Sequence, residues 1–219
     1  MNNTVLIDAA LPLLQEYLDA LWRAVEQPRA LYARGSAILS EDLPWDMDFV
    51  LFVGSNKSMA TSLAAEIMTQ IRLSLPDLPP PDISIVLDNQ TSPDSLFALL
   101  LVTESGKLLF GEDNRPSLIF FPNHCHVIWQ YALKTTISRL IAFEICTNPA
   151  EQIKRAPHLA KSVLRLGGLL EIQNGHFTRQ PKKCADWLCT LFPESEKDIT
   201  LLLRSLETNV EPNSLSKAC

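Results

Sequence analysis

Apolar residues recur at helical spacing over residues 5–27 (Leu6, Ala10, Leu13, Leu14, Tyr17, Leu18, Leu21, Trp22). This predicts an amphipathic helix, with Pro12 as a kink point. The pattern then changes. Short apolar runs at 30–34 and 47–54 read as strands, separated by a polar, glycine-containing stretch. Residues 57–74 return to helical spacing (Ala60, Leu63, Ala64, Ile67, Ile71), and a proline-rich connector at 75–81 interrupts it. A β-branched run at 82–87 predicts a strand, 93–104 a helix, and 107–110 a short strand ending at Gly111.

After residue 111 the alternation stops. Residues 112–124 carry Pro116 and Pro122 and read as a loop. From Cys125 onward the spacing is helical over about 125–146, 150–172, 181–191 and 195–208, with Asn174-Gly175-His176-Phe177 as a turn or helix C-cap. The polar end, 209–219, reads as a flexible tail. The expected fold class is therefore α+β. A small mixed-sheet α/β domain (1–120, including the N-terminal helix) precedes a helical domain (121–208), with a boundary near 120. No internal repeat is visible.

Composition bounds the function. The chain has 219 residues, 47% of them apolar and 20% charged, which suits a packed core rather than a disordered chain. The longest apolar run, residues 96–102, is too short to cross a bilayer. Asp8 sits within the first apolar stretch and no basic start precedes it, so no secretory signal is expected. Five cysteines without framework spacing suggest reduced thiols and a cytoplasmic setting.

The net charge of −6 argues against a protein that coats nucleic acid, but it is unevenly spread. Residues 1–129 hold 7 Lys+Arg against 16 Asp+Glu, net −9. Residues 130–190 hold 9 against 4, net +5. An acidic first half can hold a metal, and a basic second segment can hold polyphosphate.

The candidate chemistry lies between the first two strands. Gly35-Ser36 ends one run. After nine intervening residues, Asp46-Met47-Asp48 opens the next. Residues two apart in a strand share a face, so Asp46 and Asp48 bring two like charges together. A divalent cation with oxygen ligands relieves that repulsion, and Mg²⁺ suits carboxylates combined with phosphate oxygens. The Gly-Ser turn offers backbone N–H groups and a hydroxyl, a small nest for phosphate. Gly-Ser and Asp-x-Asp are each common in surface turns. Their order, spacing and apolar flanks together carry the signal.

This arrangement resembles the DNA polymerase β-like nucleotidyltransferase superfamily, in particular its small bacterial members with an appended helical domain. Further residues share the likeness: Lys107-Leu108-Leu109-Phe110-Gly111-Glu112-Asp113 in the first half, then Lys161-Ser162-Val163-Leu164-Arg165, Phe177-Thr178-Arg179, Cys184 and Leu191-Phe192-Pro193. It covers about residues 30–193. One departure is Ala37-Ile38-Leu39-Ser40, where such proteins often carry a second glycine.

The resemblance implies transfer of a nucleoside monophosphate, AMP from ATP or another NTP being the first expectation, to a hydroxyl, with release of pyrophosphate. It also implies two Mg²⁺ ions, held by Asp46 and Asp48 with a third carboxylate on a neighbouring strand. Asp82 fits that place best, since Asp82 and Ser84 would face one way and Ile83 and Ile85 the core. Asp88 reads as a turn residue. Asp82 would also help deprotonate the acceptor, while Gly35 and Ser36 would bind the β- and γ-phosphates. Arg34 could reach phosphate or point outward from the strand end.

In the helical half, Leu159, Val163, Leu166 and Leu170 form an apolar stripe, with His158, Lys161, Ser162 and Arg165 on another face. Lys161 and Arg165 are four apart and can converge on one anion; Lys134 is the next candidate. His124-Cys125-His126 lacks a partner pair at zinc spacing and reads as a helix start. Cys184 and Cys189 read as core.

The acceptor is expected to be a small molecule or protein rather than RNA, with no membrane partner; a homo-oligomer is compatible with the sequence. Two other functions stay open: a toxin-type transferase acting on tRNA, and a degenerate nucleotide-binding module without catalysis.

Overall fold

The computed structural model describes residues 3–24, 28–35, 38, 47–77, 81–88, 92–113, 115–206 and 212–219. The protein is α+β, a four-stranded mixed sheet plus helices, and it divides into two compact units, Met1–Ser117 and Leu118–Cys219.

The first unit opens with α1 (Asn3–Ala24). Ala10, Leu14, Tyr17, Leu18 and Leu21 make its buried face. Pro12 lies inside the helix. It removes the bond to the carbonyl of Asp8, which is exposed and can be served by water. Strands β1 (Ala30–Arg34) and β2 (Met47–Val53) pair antiparallel. Helix α2 (Lys57–Ser74) then carries the chain back, so that β3 (Pro81–Leu87) pairs parallel to β2. A parallel neighbour needs such a crossover, and the 18-residue helix supplies it. Helix α3 (Pro93–Ser105) and β4 (Lys107–Gly111) follow, and β4 adds to the free edge of β1. The strand order is β3-β2-β1-β4.

One face of the sheet forms the main core. Leu31, Ala33, Met47, Phe49, Leu51, Val53, Ile83 and Ile85 pack there with the buried faces of α1 and α2. The sequence expectation that Ile83 and Ile85 turn inward is met. Tyr17 donates its hydroxyl proton to the carbonyl of Ala60 at 2.9 Å, tying α1 to α2. Burial pushes the Tyr17 phenol far above its usual pKa. Helix α3 packs on β1 and β3. Its start is fastened by Ser95, which donates to the carbonyl of Leu87 at 2.7 Å.

The second unit begins with a 3₁₀ segment, Leu118–His124, where the sequence predicts a loop. Phe121 is fully buried, and that apolar anchor orders the segment despite Pro122. Helices α4 (Cys125–Glu144), α5 (Pro149–Leu169), α6 (Pro181–Leu191) and α7 (Glu196–Arg204) follow. Asn148 caps α5, accepting from the N–H groups of Ala150 and Glu151. A 3₁₀ turn, Ile172–Asn174, is closed by Gly175 at φ 73°, in line with the expected glycine turn.

The core of this unit gathers Phe143, Leu159, Leu164, Cys184, Ile199, Leu202 and Leu215. Gly167 and Gly168 let α5 approach its neighbours closely. A Cβ on Gly167 would lie 2.3 Å from the carbonyl oxygen of Cys184, and one on Gly168 would lie 2.0 Å from that of Thr178.

The chain's end differs from expectation. Residues 212–219 are not a flexible tail. Pro212–Ala218 forms a helix, α8, and Leu215 is fully buried. A single leucine among small polar residues is a weak apolar signal in sequence, but Ala218 packs on the same core and Ser216 donates to a carboxylate oxygen of Glu144 at 2.8 Å.

Candidate functional site

Strand register builds the site. Asp48 is the second residue of β2. It stands opposite Arg34 in the antiparallel pairing with β1, and opposite Asp82 in the parallel pairing with β3. Arg34, Asp48 and Asp82 therefore form one row across three adjacent strands. Met47, Phe49 and Ile83 belong to the core face, so alternation puts the row on the opposite face. Asp82 is exposed, while Val86 on the same side of β3 is buried. The row thus lies at the open end of that face.

The two carboxylates start from backbone positions on adjacent strands, about 4.8 Å apart in an ordinary sheet. A Nη1 nitrogen of Arg34 lies 3.5 Å from Oδ2 of Asp48. Arg34 keeps 13% of its side-chain exposure and Asp48 19%. The Nε of Arg34 is buried and makes no hydrogen bond among the described residues. Arg34 therefore does not point outward. It turns over the sheet toward the acidic row.

Gly35 follows at φ 75°, a left-handed conformation that glycine adopts without strain. A Cβ there would lie 3.0 Å from Oδ2 of Asp48. The turn backbone therefore lies directly against the carboxylate, and its carbonyl accepts from the N–H of Ile38 at 3.1 Å.

Hard oxygen donors on neighbouring strands, beside a backbone cradle that a methyl group would crowd, suit Mg²⁺ with a phosphate ligand. Two members of the expected site, Ser36 and Asp46, lie outside the described residues. Among the described residues, no group of three or more His, Cys, Asp and Glu side chains is close enough to hold a metal.

The remaining candidates, Lys134, Lys161 and Arg165, belong to the second unit. Lys134 and Lys161 are exposed, and Arg165 is half-buried and engaged. The polar face proposed for α5 needs one correction. Ser162 is buried, receives a hydrogen bond from Arg139 and donates to the carbonyl of His158 at 2.8 Å. It joins α5 to α4 and is not presented to a ligand.

A second polar cluster was not singled out by sequence. Arg115 donates to both carboxylate oxygens of Asp113, at 2.7 and 2.5 Å. It also caps the end of α3 through the carbonyls of Val102 and Gly106, and its guanidinium lies over the Tyr32 ring. Hydrogen bonding from Arg115 holds the Asp113 carboxyl down at about 2, and the pairing raises Arg115 in turn.

At the other end of the sheet, Lys57 pairs with Asp94 at 2.8 Å. Burial pushes the Asp94 carboxyl up, but hydrogen bonds from Lys57 and Ser92 and the Lys57 charge bring it below its usual value. These pairs fasten helix ends, Lys57 at the start of α2 and Asp94 at the start of α3.

No family model matches the chain, and no curated protein does. Among the described residues, no helix is long and apolar enough to cross a membrane.

Proposed function

We propose that this protein is a metal-dependent nucleotidyltransferase that moves a nucleoside monophosphate, AMP from ATP first among them, onto a hydroxyl of a small molecule or protein. One observation carries the reading: Asp48 stands beside Asp82 in the strand register while the Gly35 turn lies against the same Asp48 carboxylate. Acids and cradle come from three separate stretches of chain, and their meeting supports a shared purpose.

The roles follow from that placement. Asp46 and Asp48 would hold Mg²⁺, with Asp82 completing the second ion's ligands. When bound, Mg²⁺ would neutralise phosphate charge and make the acceptor hydroxyl easier to ionise. The Gly35 turn and Ser36 would fix the β- and γ-phosphates, leaving the α-phosphorus facing the acceptor. The hydroxyl oxygen would bond to the α-phosphorus while the bond to the β-phosphate oxygen breaks. Asp82 would take the hydroxyl proton and pyrophosphate would leave. By charge alone, Lys161, Arg165 and Lys134 would suit polyphosphate, since residues 130–190 of the second unit are net positive.

The test is incubation with each α-labelled NTP, Mg²⁺ and a cell extract. Label appearing on a protein, metabolite or RNA would name donor and acceptor. Label on RNA would favour the tRNA-modifying alternative. Mg²⁺-dependent ATP binding without transfer would leave a nucleotide-binding module.

A further inference from the structure

The guanidinium of Arg34 occupies the surroundings where a cation on Asp48 would act. Its Nη1 is 3.5 Å from Oδ2, longer than a good hydrogen bond, so the contact is a charge pair rather than a locked fork. Its Nε is buried without a hydrogen bond among the described residues, leaving a donor unserved. The strands fix this position, because Arg34 and Asp48 are register partners. Gly35, the next residue, abuts the same carboxylate oxygen.

We propose that Arg34 is a stand-in cation that holds Asp48 when no divalent ion is bound, weakens capture of a bare ion, and turns its guanidinium to the incoming triphosphate. This rests on the nucleotidyltransferase reading above. A bare divalent ion on Asp48 meets the repulsion of a nearby, largely buried positive charge. A triphosphate changes the balance. Its oxygens attract the guanidinium, whose planar donor fork suits phosphate better than a single carboxylate oxygen at 3.5 Å. Metal and nucleotide therefore load together, and an ion alone loads poorly.

The proposal predicts effects of opposite sign from one substitution. In Arg34→Gln and Arg34→Met, bare Mn²⁺, followed by electron paramagnetic resonance, should bind about tenfold more tightly than in the wild type. An NTP analogue with a non-cleavable α–β bridge, followed by calorimetry at saturating Mg²⁺, should bind about tenfold more weakly. Arg34→Lys, which keeps the charge, should stay close to wild type for bare Mn²⁺. Unchanged or weaker Mn²⁺ binding in both neutral variants overturns the proposal. So does loss of fold in both, seen by circular dichroism, since Arg34 would then be a structural brace.

The underlying reading fails separately. It is lost if Asp48→Asn with Asp82→Asn leaves metal-dependent analogue binding intact, or if no form of the protein takes up Mn²⁺ with or without the analogue.

Discussion

Gly35 lies against the carboxylate of Asp48, so closely that a Cβ on the glycine would come within 3.0 Å of Oδ2. Its φ of 75° adds a second barrier to any side chain. Gly35→Ala should lower stability by about 1–2 kcal/mol from the left-handed backbone alone. It should also weaken Mg²⁺-dependent nucleotide binding by displacing Asp48. Urea unfolding and calorimetry measure the two effects, and wild-type nucleotide binding in a folded variant would separate the turn from the site.

Asp48→Asn and Asp82→Asn should each reduce nucleotidyl transfer by on the order of 10³-fold. Their stabilities should differ. Asp82 is exposed, so its substitution should change stability by less than about 0.5 kcal/mol. Asp48→Asn removes the partner of a largely buried arginine and should cost about 1–2 kcal/mol, between the exposed and buried limits for ion pairs. Transfer of labelled NMP and denaturant midpoints provide the check.

Asp113 predicts an acid response. Its folded-state pKa is depressed from 3.8 to about 2 by the hydrogen bonds of Arg115. A depressed carboxyl adds stability that is fully present above its unfolded value and is lost as pH falls through the folded one. The Arg115 pairing should therefore weaken between about pH 3.8 and 2. Asp113→Asn should be less stable than wild type at neutral pH, and the difference should shrink across that window. Urea midpoints measured against pH would reveal it.

Gly168→Ala should disrupt the second unit. The added methyl would meet the backbone oxygen of Thr178 at 2.0 Å and the sulfur of Cys184 at 3.0 Å. Backbone cannot yield as a flexible side chain does, so the loss should reach about 3 kcal/mol. Thermal unfolding followed by circular dichroism would show it. A neutral result would mean that α5 can slide along its neighbours.

Much of the first unit was legible because its signals are local. Apolar runs and a proline-rich break mark β1, β2 and β3, and alternation in Asp-Ile-Ser-Ile-Val is enough to set Ile83 and Ile85 inward. Arg34 was not legible as the partner of Asp48. Their pairing depends on the register of a hairpin with a long connection, which no local pattern encodes. The burial of Ser162 is hidden from the sequence for a related reason. Helical spacing places it beside Lys161, but only the packing of α4 against α5 reveals that this edge of the stripe is buried. The last helix buries Leu215 as its one large apolar side chain among the described residues, too little periodicity to read.

The parallel pairing of β2 with β3 has a consequence in time. Asp82 reaches Asp48 only after the chain has run out through α2 and returned. A growing polypeptide thus carries Asp48 well before Asp82 can join it, and on the reading proposed above the hairpin alone would be inactive. If the chain is the nucleotidyltransferase proposed above, competence would arrive in one step, when the crossover closes, and an unfinished or misfolded chain would spend no nucleotide.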